Sequence, residues 1–469
     1  MRVVVRRDTV DREPEARSSA TFAVQRARPN GDANASDAAA PTRRRYQGAR
    51  PDVGLQWAAS PHVRIAAATA SAGVALAVLV GHDGSPIWQF TRVTAVAVLT
   101  TAAVAAEGRL GDRACGRLAA ALGILAWAVG AGFVPYLVKH GASLVAAAGV
   151  VELLAGVVLA VAGTVVGTRG RRPSRRIGAG VGTLVAAVIV VLVVAPAVAA
   201  TNVPHADLGA TPASRGLAYE TVTLTTDDGV RLAGWYLPST NRAAVVLLHG
   251  AGSTRSDVLD EAAVLVRHGF GILLVDARGH GDSGGRAMDF GWYGDSDIAA
   301  ATGYLARRPD VDPQRIGVVG MSMGGEEALG ASATNELIRA VVAEGATARS
   351  ASDEAWLSNE YGLRGLLQEQ LERVQDWVTN ALTSASIPSS NRAAVEASGD
   401  TRYLLITAGD VPGEGHAAAH VAAGALDRVQ TWTVPGAGHT EGLQTQPEEW
   451  EARVIAFLID SLGAHQGPS

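Results

Sequence analysis

Arg315-Ile-Gly-Val-Val-Gly-Met-Ser-Met-Gly-Gly325 decides how the second half of this chain folds. Residues 316–319 read as a short buried strand, and Glu326-Glu327-Ala328-Leu329 as the first turn of a helix. Between them lies Gly320-Met-Ser322-Met-Gly324, a Gly-x-Ser-x-Gly turn. A strand that turns sharply into a helix through a serine strains that residue and lifts its hydroxyl clear of the sheet. Gly320 and Gly324 carry no side chains to collide where strand and helix close on each other. Ser322 also stands at a helix N-terminus, where free N–H groups and the macrodipole favour developing negative charge. A glycine-rich turn with an incidental serine would spell the same five residues. The weight therefore rests on the flanking strand and helix and on partners elsewhere in the chain.

Outward from the turn, strands and helices alternate. Residues 220–224 and 230–237 alternate in polarity around Asp227-Asp228-Gly229, a hairpin signal. Residues 243–248 and 271–275 are continuous apolar runs, as in strands buried on both faces. Further strands are predicted at 338–343, 403–407 and 429–434, and helices at 257–267, 295–307, 414–426 and 447–462. This alternation implies an α/β fold, a mostly parallel, doubly wound sheet with ligands at the carboxyl ends of its strands. Residues 348–398 form a long insertion with Trp356, Leu363, Leu367, Val374 and Trp377 at helical spacing on one apolar face.

The first half is different. The chain has 469 residues, enough for two or three domains, with 48% apolar and 18% charged residues, and the apolar excess lies before residue 201. Net charge is −5, so nucleic acid is not an expected partner, and the lone Cys115 excludes an internal disulfide. Residues 1–60 read as a disordered basic tail with Arg43-Arg44-Arg45. Five apolar stretches follow at 65–80, 93–106, 118–138, 144–167 and 177–200, each near the ~17–25 residues of a membrane-spanning helix. Arg109, Arg113 and Arg117 lie in one connection, and Arg169, Arg171, Arg172, Arg175 and Arg176 in another. The alternate connections hold only Arg92 and Lys139. The positive-inside rule then places the N-terminus in the cytoplasm and everything after Ala200 outside, with the plasma membrane the expected location. Glu152 within the fourth stretch is expected to be a protonated acid hydrogen-bonded to a neighbouring helix. Residues 201–218 read as a linker, 219–463 as the globular domain and 464–469 as a disordered tail.

Four motifs in one order make residues 219–462 resemble the α/β-hydrolase family, within it the dienelactone-hydrolase and serine-aminopeptidase type. They are His249-Gly-Ala-Gly252, Asp276-Ala-Arg-Gly-His-Gly-Asp-Ser283, the turn at Ser322, and Val434-Pro-Gly-Ala-Gly-His439. The resemblance implies Ser322 as nucleophile and His439 as its base, in the chain order serine, acid, histidine. The acid belongs shortly after the strand at 403–407, where both Asp410 and Glu414 are candidates. The oxyanion hole would be the backbone N–H groups of Ala251 and Met323. His249 and His280 fall to structural loops. The insertion sits where the family carries a cap, which would make the substrate pocket apolar.

A membrane-anchored serine hydrolase follows, cleaving an ester, thioester or amide through an acyl-enzyme on Ser322. Its expected partners are a small-molecule or lipid-like acyl substrate and, through the helical bundle, membrane lipid. Neither a zinc-ligand spacing nor a dinucleotide-binding loop is read in the sequence, so no metal or organic cofactor is expected. The alternatives are an acyltransferase using the same three residues, and a non-catalytic binding or signalling module built on a hydrolase fold.

Overall fold

The computed structural model describes residues 60–463 apart from Asp83. The basic cluster at Arg43–Arg45 and the tail at 464–469 lie outside the described residues. Helices come first: α1 (Pro61–Gly81), α2 (Pro86–Arg109), α3 (Asp112–Gly132), α4 (Val134–His140), α5 (Leu144–Gly167) and α6 (Pro173–Thr201). Phe133 separates α3 from α4 where Pro135, lacking an N–H, enters the next turn. Counting α3 and α4 as one stretch, Asp112–Lys139, five helices among the described residues are long and apolar enough to cross a membrane. The second begins at Pro86, seven residues before the apolar run at 93–106, because Gln89, Thr91 and Arg92 hide its first turns from a hydropathy reading. Thr91 and Arg92 there turn their polar atoms back to the carbonyls of Ile87 and Trp88.

Glycines set how α3 and α5 meet. A Cβ added at Gly116, Gly123, Gly130, Gly156 or Gly163 would strike the backbone of the facing helix. These are the close approaches that small residues permit between membrane helices. That same choice of residues corrects one expectation. Glu152 is buried at 2% exposure, yet its Oε2 has no hydrogen-bond partner. Apart from the weakly donating thiol of Cys115, the buried face of α3 is Gly and Ala and brings no side-chain donor. A second buried acid, unremarked in the sequence, is Glu107 at the end of α2, which accepts the hydroxyl of Thr69 at 2.8 Å.

The globular part is an α/β-hydrolase fold. Its strands are β1 (Glu220–Thr225), β2 (Arg231–Leu237), β3 (Ala244–Leu248), β4 (Gly271–Val275), β5 (Ile316–Met321), β6 (Ile338–Glu344), β7 (Arg402–Ala408) and β8 (Val429–Val434). They form one sheet in the order β1-β2-β4-β3-β5-β6-β7-β8. β2 alone runs against the others, pairing antiparallel with β1 and β4, and the remaining pairs are parallel. The helices are α7 (Leu259–Arg267), α8 (Gly294–Ala306), α9 (Met323–Ala331), α10 (Leu357–Tyr361), α11 (Leu363–Leu382), α12 (Asn391–Ala397), α13 (Pro412–Ala422), α14 (Gly442–Thr445) and α15 (Pro447–Leu462).

Each central strand feeds two cores. Val245 and Leu247 of β3 join Leu265, Trp450 and Leu458 on one face. Ala244, Val246 and Leu248 join Leu305, Leu329 and Val421 on the other. This is why the strand sequences read as unbroken apolar runs. Within the insertion, α12 returns to the sheet and buries Val395, so only α10 and α11 stand apart as a cap. The long cap helix α11 packs against α6, the last apolar helix of the bundle.

Candidate active site

β5 delivers Ser322 to the carboxyl edge of the sheet, and α9 carries the chain away from it. Ser322 adopts φ 52° and ψ −119°, a conformation that costs a non-glycine residue about 1–3 kcal/mol. Its backbone N–H is held by the carbonyl of Glu344 at 2.7 Å. The glycines beside it are steric necessities. A Cβ on Gly320 would strike the carbonyl of Gly324, and one on Gly324 would lie 2.7 Å from the carbonyl of His249.

The loop after β8 brings His439 over this edge. Its Nε2 is 2.8 Å from Ser322 Oγ, and its Nδ1 is 2.6 Å from Glu414 Oε1. A carboxylate only accepts, so Nδ1 carries the proton and Nε2 is left as the acceptor for the serine hydroxyl. Glu414 stands on the first turn of α13 and is buried, with its second oxygen accepting the N–H of Ala408 at 2.7 Å. The hydrogen bond from Glu414 raises the His439 pKa above its ordinary value, against burial, which lowers it. Asp410 is left out. It is exposed, its backbone N–H goes to the carbonyl of Ala437 at 3.1 Å, and its carboxylate makes no hydrogen bond or ion pair among the described residues. It lies in the turn before Pro412, whereas one turn of α13 carries Glu414 inward beneath the histidine loop.

Gly250 packs against Ser322: a Cβ there would lie 3.3 Å from the serine Cβ. Ala251 follows it directly, and Met323 is the first residue of α9. Among the described residues, neither Ala251 N–H nor Met323 N–H donates a hydrogen bond. His249 and His280 are buried scaffold. His249 Nε2 accepts the N–H of Ala277 at 3.0 Å, so its Nδ1–H donates to the carbonyl of Gly250 at 2.8 Å. Burial pushes its pKa down to about 3, which keeps it neutral. His280 Nε2 lies 3.1 Å from Asp289.

The motif Asp276–Ser283 is a staple. Asp276 pairs with Arg255 and accepts the N–H groups of Arg255 and Asp282 at 2.8 and 2.9 Å. Ser283 Oγ donates to the carbonyl of Asp276 and accepts the N–H of Ala233. Gly279, Gly281 and Gly284 share the spacing of a dinucleotide-binding loop, but no helix opens there. α8 starts ten residues later, at Gly294.

Two buried acids escaped the sequence reading. Glu344, at the end of β6, accepts the N–H of Gly442 and the indole N–H of Trp450, each at 2.8 Å, and so fixes the segment after His439. Glu326, one helical turn after Ser322, accepts the N–H groups of Thr347 and Ala348, each at 2.9 Å. Their only signal was an acid ending an apolar strand and another opening an apolar helix.

The bundle reaches this edge as well. Asp289 donates its N–H to the carbonyl of Ala200 in α6 at 2.9 Å, while its carboxylate accepts the N–H of Gly252 at 3.2 Å. Lys139 Nζ, from the end of the third apolar stretch, lies against Gly252. A cavity of about 270 Å³ between them is lined by Tyr136, Lys139, Ala199, Asn202, Asp289 and Phe290.

Fold and site together give the globular part the architecture of an α/β-hydrolase. Residues 239–436 match the family described as serine aminopeptidase, S33. An uncharacterized protein of Mycobacterium tuberculosis is 38% identical over 122 residues, which cover 25% of this chain and 41% of that protein. The thiohydrolase aneE of Aspergillus aculeatus is 33% identical over 129 residues, covering 26% and 40%. The matched stretch thus spans about two fifths of each curated relative's length. Among solved structures, the Pyrococcus furiosus esterase Pf2001 is 25% identical with a TM-score of 0.45, covering 56% of this chain and 98% of that one.

Proposed function

We propose that the chain is a membrane-anchored serine hydrolase that cleaves an ester, thioester or amide. The observation that carries this is the hydrogen-bonded line Glu414–His439–Ser322, at 2.6 and 2.8 Å, ending on a strained serine. His439 Nε2 takes the proton of Ser322 Oγ as that oxygen bonds to the carbonyl carbon. The carbonyl oxygen becomes an oxyanion and accepts the free N–H groups of Ala251 and Met323. As the tetrahedral species collapses, the bond to the leaving alcohol, thiol or amine breaks and that group takes the proton from His439. Water then attacks the acyl-enzyme by the same route in reverse. Glu414 holds the imidazole in the required tautomer and stabilises the imidazolium. The thiohydrolase name of one relative keeps thioesters within the substrate range.

The bundle anchors the enzyme and places its catalytic edge at the membrane surface, within reach of lipid-like acyl substrates. The arginine-rich connections put the N-terminus in the cytoplasm and the hydrolase outside the plasma membrane. The test is labelling of the full-length protein with a fluorophosphonate. The wild type reacts and Ser322→Ala does not. A wild type that fails to react would leave only a binding module.

A further inference from the structure

The cap helix α11 is amphipathic with its faces reversed. Gly365, Glu369, Asp376 and Thr379 recur at helical spacing and are buried toward the protein. Glu369 accepts the N–H of Ser358 at 2.7 Å and Asp376 that of Ala351 at 2.8 Å, so the polar side is consumed in holding the loop beneath. The opposite stripe, Gln370 apart, is apolar and turned outward. Leu363 is 72% exposed, Leu367 58%, Val374 49% and Trp377 71%. A helix of a water-soluble domain shows the opposite arrangement, because apolar area left in water costs roughly 25 cal/mol per Å².

The position of α11 says what covers that stripe. It packs against α6. The two helices also end together: Arg286 donates to the carbonyl of Leu382, the last residue of α11, at 3.3 Å, and to Asn202, just past α6, at 3.0 Å. Tyr293 ties the next residues, Thr383 and Ser384, to the hydrolase at 3.0 and 2.8 Å. Two helices in contact, with their C-terminal ends held by one guanidinium, reach the same level there. From Asn202, α11 therefore lies at the depth through which the C-terminal part of α6 passes. The span beside it also turns apolar side chains outward, Ile189 at 48% and Leu192 at 54% exposure.

We propose that the outward face of α11 is embedded in the leaflet from which α6 emerges, with Leu363, Leu367, Val374 and Trp377 among the lipid acyl chains. The cap of the hydrolase is then a membrane element, held by its acidic side to the enzyme and by its apolar side to the bilayer, as an interfacial helix is. The inference rests on α6 being a membrane span.

The test uses the full chain in phosphatidylcholine–phosphatidylglycerol nanodiscs. In a Cys115→Ala background, which removes the lone cysteine, single cysteines replace Leu367, Trp377, Leu192 on α6 and the exposed Asp410, and each carries a nitroxide. Oxygen concentrates in the bilayer and a nickel chelate in water, so their relative collision rates report depth. Positions 367 and 377 are expected to match 192, with oxygen collisions dominant, while 410 shows the reverse. If 192 favours oxygen but 367 and 377 behave like 410, the cap lies in water and the inference fails while the anchoring stands. If 367 and 377 are shielded from both reagents, a protein covers the stripe and the inference again fails. If 192 itself favours nickel, the anchoring reading falls first. Fluorophosphonate labelling of each variant verifies that the domain is folded.

Discussion

Glu414 and His439 are 25 positions apart and meet at 2.6 Å, while the carboxylate of Asp410, four residues before Glu414, makes no hydrogen bond among the described residues. That contact, more than any motif, specifies what the loop after β7 contributes. Glu414→Gln should reduce kcat/KM by on the order of 10⁴, since an amide can hold the wrong tautomer and cannot stabilise the imidazolium. Asp410→Asn should change it less than about threefold. The reverse ordering in one ester assay would transfer the role.

The same contact sets the pH profile. His439 must be neutral to accept the serine proton, so kcat/KM rises with pH as the imidazole loses its proton. Glu414 favours the charged form and raises that pKa, placing the acid limb at higher pH than a free histidine would. In Glu414→Gln the residual activity should show its limb moved toward lower pH. An unmoved limb in kcat/KM would mean that another group titrates.

Ser322→Ala should lower turnover by on the order of 10⁴ to 10⁶ and leave the fold unchanged. Ser322→Gly loses the same activity but relieves the backbone at φ 52°. It should therefore be more stable than the alanine variant by about 1 kcal/mol, the strain relief being partly offset by glycine entropy. Thermal unfolding in detergent compares the two, and equal midpoints would deny the strain.

Gly324→Ala tests the close approach. The new Cβ would sit 2.7 Å from the carbonyl of His249 and from the Cβ of Leu248, and both are held in place by the sheet. A loss of about 1–3 kcal/mol is expected. The loop carrying Ala251 would also shift, lowering kcat more than KM rises. Full activity at full stability would show that the loop can give way.

Topology is read from protease added to intact cells expressing the full chain. With five spans and the arginine loops inside, the domain after Ala200 should be cut, or released near residues 204–212, while the N-terminal tail stays protected. A protected hydrolase would mean an even number of crossings. The first span to doubt is then α2, whose mean hydropathy of 1.3 is the lowest of the five.

Much of the site was legible because it is local. A buried strand, Gly-x-Ser-x-Gly and a helix follow one another within a dozen residues, and the clash that requires Gly320 acts inside the turn, against Gly324. The central strands were equally plain, since a strand covered on both faces reads as an apolar run. The setting of Glu152 was not legible, because a hydrogen bond needs a donor on another helix, and the composition of α5 alone does not say that the buried face of its neighbour α3 is Cys, Gly and Ala.

The sequence by itself determined five apolar helices, a doubly wound sheet, the serine and the histidine loop, because periodicity, hydropathy and glycine sterics act over a few residues. Only the tertiary structure placed Glu414 and not Asp410 against His439, since one turn of α13 separates a solvated carboxylate from one aimed at an imidazole. Only it showed Glu344 and Glu326 as supports, since their partners lie on other elements. And only it turned the apolar stripe of α11 outward: a helical repeat fixes that one face is apolar, but what that face meets depends on where the rest of the chain places the helix.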